Sequence, residues 1–94
     1  MKSILIVEDI AETRAWLRDA VEAAFPGNDI REATNVREAI YSVKGHSFDI
    51  AIVDLGLPDG SGTDIIAALS VSRPETTVVV ATVMGDDASV IAAL

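Results

Sequence analysis

Hydrophobic positions along the chain fall into two alternating patterns, short continuous runs and stripes at helical spacing. Ser3-Ile-Leu-Ile-Val7 is a run bounded by polar residues, as expected of a strand buried on both faces. From Ala11 to Phe25 the apolar residues Leu17, Ala20, Val21, Ala24 and Phe25 recur at helical spacing, and Pro26-Gly27 ends that helix. Asp29-Ile-Arg-Glu-Ala33 alternates and predicts a less buried strand. Asn35 followed by Glu38 is a capping signature for a helix with the stripe Val36, Ala39, Ile40 and Val43, closed by Gly45. Ile50-Ala-Ile-Val53 is a further buried strand. Ser61, with Asp64 three positions on, starts a helix carrying Ile65, Ile66 and Leu69 that must stop before Pro74. Thr77 to Ala81 predicts the fourth strand, and Asp86 onward a last helix bearing Val90, Ile91 and Leu94.

Strict alternation of strand and helix with short loops implies right-handed crossovers and a parallel sheet covered by helices on both faces. Ligands of such sheets bind beyond the carboxyl ends of the strands, near the switch in strand order. The 94 residues are 50% hydrophobic but only 4% aromatic, so the core is aliphatic. A chain of this mass buries roughly 64% of its unfolded surface, enough for one domain over residues 1–94 and no second. The absence of cysteine excludes a disulfide scaffold, a zinc knuckle and a thiol nucleophile. No apolar run reaches the roughly 18 residues of a membrane span, and Ile4 to Val7 is too short for a secretory core, so a cytoplasmic location is expected.

Charge sharpens the picture. A net charge of −8 disfavours direct nucleic-acid contact, and the imbalance is greater in residues 45–94, where Arg73 stands alone against seven acids. Most of these acids read as solvated surface, but over the whole chain three acids follow buried strands directly or nearly so. Glu8 and Asp9 follow the first strand and Asp54 the third, so adjacency of these strands brings three carboxylates together. At 4 Å two like charges repel by about 4 kcal/mol at an effective dielectric of 20, and no Lys or Arg lies close in sequence. A proton or a cation must compensate, and an all-oxygen, partly exposed donor set suits Mg²⁺. Asp9 could instead cap the first helix. In the loop from Asp54 to Gly62, Pro58 and Gly60 make a rigid turn, and Gly56, lacking a side chain, allows its carbonyl to approach a metal.

Ile-Val-Glu-Asp, Val-Asp-Leu-Gly-Leu-Pro-Asp-Gly-Ser-Gly and Val-Ala-Thr, in this order, resemble the receiver domain of bacterial two-component response regulators. The resemblance runs along the whole chain and implies a flavodoxin-like three-layer α/β/α fold with strand order 2-1-3-4. It implies that Asp54 accepts a phosphoryl group from a sensor histidine kinase, and that Glu8, Asp9, Asp54 and the Gly56 backbone carbonyl hold Mg²⁺. Thr82 would hydrogen-bond the phosphoryl group and switch the loop after it. Such a domain is a phosphoacceptor signalling module, self-catalysing phosphotransfer at most. The Leu-Pro-Asp-Gly-Ser-Gly wording is similar to receivers joined to helix-turn-helix transcription regulators.

Two positions depart from the family pattern. Val83 stands where a small residue is usual and, with Met84, forms the expected pocket mouth, narrowing access to Asp54. The family's fifth strand, with its site lysine, and fifth helix are not found before Leu94, and the only lysines are Lys2 and Lys44. A C-terminally truncated receiver is therefore expected, its fourth strand an exposed edge that associates with a second copy by that edge or by the last helix. The competing reading is a signalling-incompetent receiver fragment serving as an oligomerisation or interaction module. A haloacid-dehalogenase-type phosphatase needs an acid where Gly56 stands, and a flavin or nucleotide module would be repelled by Glu8-Asp9. His46 reads as a surface loop residue, and Trp16 and Tyr41 as flanks of their helices.

Overall fold

A computed structural model describes the backbone of residues 2–84 and 87–93 and the side chains of residues 2–81. The central sheet takes β1 (Ser3–Val7), β2 (Asp29–Ala33), β3 (Ile50–Val53), β6 (Thr77–Met84) and β7 (Asp87–Ala93) in the order β2-β1-β3-β6-β7. The first four are parallel, in the 2-1-3-4 order of long strands that the sequence implied. Two-residue strands β4 (Gly56–Leu57) and β5 (Gly60–Ser61) form a small hairpin after β3. The helices are α1 (Ala11–Ala24), α2 (Val36–Gly45) and α3 (Gly62–Ser72).

The pleat sorts the core into two layers. Leu5 and Val7 of β1 point to α2 and α3, joining Val36, Ala39, Val43, Val53, Ile65 and Leu69 in one cluster. Ile4 and Ile6 point the other way, to Leu17 and Val21 of α1. Side-chain caps open α2 and α3. Asn35 accepts the amide of Glu38 at 2.8 Å, and Glu38 reaches back to the Thr34 amide at 2.7 Å. Ser61 accepts the Thr63 amide at 3.2 Å to open α3. The chain leaves α1 through Gly27, whose φ of 81° is the one positive value among the described residues.

The last segment differs from expectation. Among the described residues no helix follows β6: Asp87–Ala93 is a strand, antiparallel to β6, with Met84 opposite Asp87 and Val78 opposite Ala93. Residues 86 and 94, which were to begin and end that helix, lie outside the described residues. The reason is in the sheet. A bare β6 edge would present a row of free N–H and C=O groups, and the Ser-Val-Ile stretch satisfies them, whereas a two-turn terminal helix is marginal by itself. The exposed fourth-strand edge and the last helix, on which association with a second copy was expected, are therefore replaced by an intrachain ladder. Ile4 and Ile6 are fully buried beneath α1. An open apolar groove lies beside α1, lined by Trp16, Phe25, Ile52 and Val79 among others.

Neighbouring positions on α3 test the layer assignment. Leu69→Ala, at a side chain 1% exposed, should cost about 2–5 kcal/mol, whereas Val71→Ala, at one 87% exposed, should stay within about 0.5 kcal/mol. Chemical denaturation of the two variants measures the contrast, and equal losses would place α3 the wrong way round.

Candidate functional site

The backbone ladder brings the acids together. β1 and β3 pair with Val7 beside Val53, so the residues that follow them leave the sheet side by side. The Glu8 amide donates to the Ala33 carbonyl of β2 at 3.0 Å, and the Asp54 amide to the Val7 carbonyl of β1 at 3.0 Å. Glu8 and Asp54 are thus anchored at the carboxyl end of the sheet, and both are buried, Glu8 to 1% exposure. Asp9 is exposed beside them. Carboxylate oxygens of Glu8, Asp9 and Asp54 lie within 4.8 Å of one another. Asp9 does not cap α1, because Ile10 is the N-cap and no side chain accepts its free amides.

Burial pushes the Glu8 carboxyl up to about 7; the Ile10 amide, donating to Glu8 Oε1 at 3.1 Å, opposes this, and the charge of Asp54 and the hydrogen bonds with Asp54 and Asp9 add to it. Burial therefore favours a proton on Glu8 far more than water does. Proton sharing of this kind is one answer to crowded carboxylates, and a hard cation is the other. Three carboxylates without a nitrogen or sulfur donor fit a hard divalent ion. The base that sequence reading did not place is Arg14. Its Nη1 donates to the Glu8 backbone carbonyl at 3.0 Å, while its Nε faces Glu32 at 3.5 Å. Five residues beyond Asp9, it reaches back because the first turn of α1 folds over the end of β1. Glu32, also paired with Arg18 at 3.2 Å, takes up much of its charge, so the carboxylates keep their need for a cation.

The loop after Asp54 is a hairpin, with Gly56 opposite Ser61, Leu57 opposite Gly60, and Pro58-Asp59 as its two-residue tip. Its turn uses no positive φ, consistent with Pro58 and Gly60 flanking an ordinary rather than a primed turn. The Gly56 amide donates to Asp54 Oδ1 at 3.2 Å and orients that carboxylate. A Cβ at Gly56 would meet no protein atom within 4 Å, so neighbouring protein groups do not require glycine there. The position that demands glycine is Gly62, where a Cβ would fall on the Asp54 carbonyl oxygen and 2.9 Å from Val53 Cγ1. The tip rests on α2, with Asp59 Oδ1 accepting the Val36 amide at 2.7 Å and Oδ2 the Arg37 amide at 3.1 Å. These bonds hold the Asp59 carboxyl below its ordinary value. Sequence reading had left Asp59 among the solvated acids, although its place at the tip of a Leu-Pro-Asp-Gly turn was visible.

Other expected residues fall elsewhere. The backbone of Thr82, Val83 and Met84 continues β6 rather than starting a loop, and their side chains lie outside the described residues. Lys2 stands before β1 at the opposite end of the sheet and Lys44 in the last turn of α2, so neither lysine of this sequence reaches the acids. His46 is exposed, its ring 6.3 Å from that of Phe48. Trp16 and Tyr41 are exposed helix flanks.

Residues 4–94 match the model of the response regulator receiver domain family. Over 94 residues the chain is 36% identical to the chemotaxis protein CheY of Thermotoga maritima, covering 99% of this chain and 77% of that protein. It is 43% identical over 63 residues to the transcriptional regulatory protein PhoP of Escherichia coli, covering 67% of this chain but only 27% of that regulator. Among solved structures, the response regulator TrrA of Thermotoga maritima in complex with Mg²⁺ and beryllofluoride superposes with a TM-score of 0.80 at 25% identity, over 90% of this chain and 72% of that one. A response regulator of Burkholderia pseudomallei bearing a phosphorylated aspartic acid gives 0.77 at 29% identity, over 87% of this chain and 47% of that one. The chain belongs to the response regulator receiver domain family and is a two-component signalling domain. No helix among the described residues is long and apolar enough to cross a membrane.

Two measurements probe this site without a metal. Glu8 holds its proton more tightly folded, near 7, than at its ordinary 4.5, so it stabilises the acid side and loses that contribution as pH rises through 7. In chelator, the stability of wild type relative to Glu8→Gln should fall by about 3 kcal/mol between pH 4.5 and 8 in urea denaturation. A flat difference would remove Glu8 from the buried cluster. Gly62→Ala should destabilise by about 1–3 kcal/mol through overpacking on the Asp54 carbonyl, whereas Gly56→Ala should fold as wild type.

Proposed function

We propose that Asp54 is the phosphoacceptor of this receiver and that Glu8, Asp9, Asp54 and the Gly56 carbonyl hold Mg²⁺. The observation that carries this reading is the convergence of three carboxylates, two of them buried, at the carboxyl end of a parallel sheet. When bound, the cation neutralises the carboxylates and the oxygens of the arriving phosphoryl group. Glu8 would hold the cation as a carboxylate, its proton passing to solvent. Asp54, oriented through Oδ1 by the Gly56 amide, attacks phosphorus with a carboxylate oxygen. The phosphorus–nitrogen bond of a phosphohistidine breaks, and its electron pair leaves with the imidazole. The donor is a sensor histidine kinase, or a small acyl phosphate when the domain catalyses its own phosphorylation. Positioning and charge compensation carry this chemistry, with no general base required.

Thr82 lies two residues beyond Val80, the partner of Val53, and so belongs at the same end of the sheet as Asp54. Its hydroxyl is proposed to bind the phosphoryl group and to reorder the backbone that follows, with Val83 and Met84 at the pocket mouth. Residues 1–94 are read as one receiver-like unit acting in the cytoplasm, without direct nucleic-acid contact. Control of transcription is proposed from likeness to regulators of which the chain spans about a quarter. A signalling-incompetent module has no use for the buried acid pair, which would then be a standing cost.

Acetyl phosphate with Mg²⁺ should add one phosphoryl group by intact mass, and Asp54→Asn should abolish it. Mg²⁺ should also raise the melting temperature by the usual linkage, and Asp9→Ala should lose most of that increment. Labelling that persists in Asp54→Asn would move the acceptor elsewhere, and equal Mg²⁺ responses would dissolve the metal assignment.

A further inference from the structure

We infer that Asp59 is a positioning residue for the acidic site, tethering the tip of the β4–β5 hairpin to the first turn of α2; this rests on the metal-site reading above. Its two carboxylate oxygens accept successive amides, Val36 at 2.7 Å and Arg37 at 3.1 Å. These are two amides of the first turn that Asn35 leaves free, and what sets Asp59 apart is where it comes from. Asn35 already caps α2 from within the chain's own turn by accepting the Glu38 amide at 2.8 Å. Asp59 arrives from the loop that carries the site, so its bonds join two parts of the molecule that the backbone does not join. The ionised carboxylate suits the positive end of the helix dipole, and each bond is charge-assisted.

The hairpin leaves little slack between the tip and the site. Gly56 and Leu57 form one arm and Gly60 and Ser61 the other, with Pro58-Asp59 between them. Leu57 is buried in the core shared by α2 and α3. At Gly60 a Cβ would come within 3.3 Å of Val36 Cγ2, so the tip lies directly against the turn that Asp59 binds. At the base, the Gly56 amide holds Asp54 Oδ1 and the Gly62 amide holds the Leu55 carbonyl at 3.0 Å. Gly56 is thus both the partner of Asp54 and the start of the arm whose end is pinned. Released from α2, the arm would carry the Gly56 amide and carbonyl away from Asp54. Asp59 itself is solvent-exposed, so the tether competes with water and can be undone by a single substitution.

Asp59→Ala is compared with Asn35→Ala, which removes the other cap of α2 and leaves the hairpin untouched. Mg²⁺ titrations are run by calorimetry well below both melting temperatures, with amide exchange of Gly56 and Gly60 recorded on the same samples. Asp59→Ala should raise the Mg²⁺ dissociation constant by up to about tenfold, the low end of what losing a partner bonded directly to a ligand costs, and speed exchange at Gly56. Asp59→Asn, which keeps one acceptor oxygen, should recover part of both. Asn35→Ala should lower the melting temperature alone. Unchanged Mg²⁺ affinity in Asp59→Ala, with a melting loss like that of Asn35→Ala, would reduce Asp59 to a cap and overturn the inference. Should wild type bind no Mg²⁺, the metal reading falls by itself. The exchange rates then decide the tether, and equal Gly56 exchange in wild type and Asp59→Ala overturns it.

Discussion

Two carboxylates held out of water beside each other are the constraint around which the rest of the molecule is arranged. Glu8 and Asp54 cannot separate, because their amides belong to the hydrogen-bond ladders of β2-β1 and β1-β3. They cannot both ionise freely, because burial and mutual repulsion push Glu8 to about 7. Every nearby element accommodates that conflict without ending it. Arg14 binds the Glu8 carbonyl rather than its carboxyl, and Glu32 draws off the guanidinium charge. The fold thus preserves a concentration of negative charge that its own bases leave uncompensated, an all-oxygen donor set of the kind that suits a hard divalent cation.

Steric fit transmits the same constraint outward. Gly62 lets the start of α3 lie on the backbone of Asp54, where any side chain would collide. The short hairpin between them is closed at its base by Gly56 and Gly62 and at its tip by Asp59. The end of β3, the start of α3 and the start of α2 therefore form one packed unit.

Much of this was legible in the residues. Runs such as Ile4–Val7 and Ile50–Val53 pointed to buried strands, which β1 is on both faces and β3 on one, and their order placed Glu8 and Asp54 side by side. Capping signals located the starts of α2 and α3 because they act within a turn. What the sequence left open were matters of tertiary pairing. Ala88 to Ala93 fits a helical stripe as well as a strand, and the free edge of β6 decided between them. Arg14 and Asp59 were missed because spacing along the chain says nothing of a guanidinium folded back over β1 or a carboxylate carried across to α2. Gly56 and Gly62 look alike in sequence, and only the Asp54 carbonyl tells them apart.

The pairing of β1 with β3 also has a consequence in time. The small β4–β5 hairpin joins near neighbours and can close within roughly 1–10 μs, but Ile4 meets Ile50 only after the whole of α1, β2 and α2 has been brought round. Such parallel, long-range closure is the slow part of folding. Until it is complete, Asp54 is an ordinary solvated carboxylate, with no buried neighbour and no reason to attract a cation. The buried acid cluster therefore comes into being only with the finished sheet, and a partly folded chain does not yet carry it.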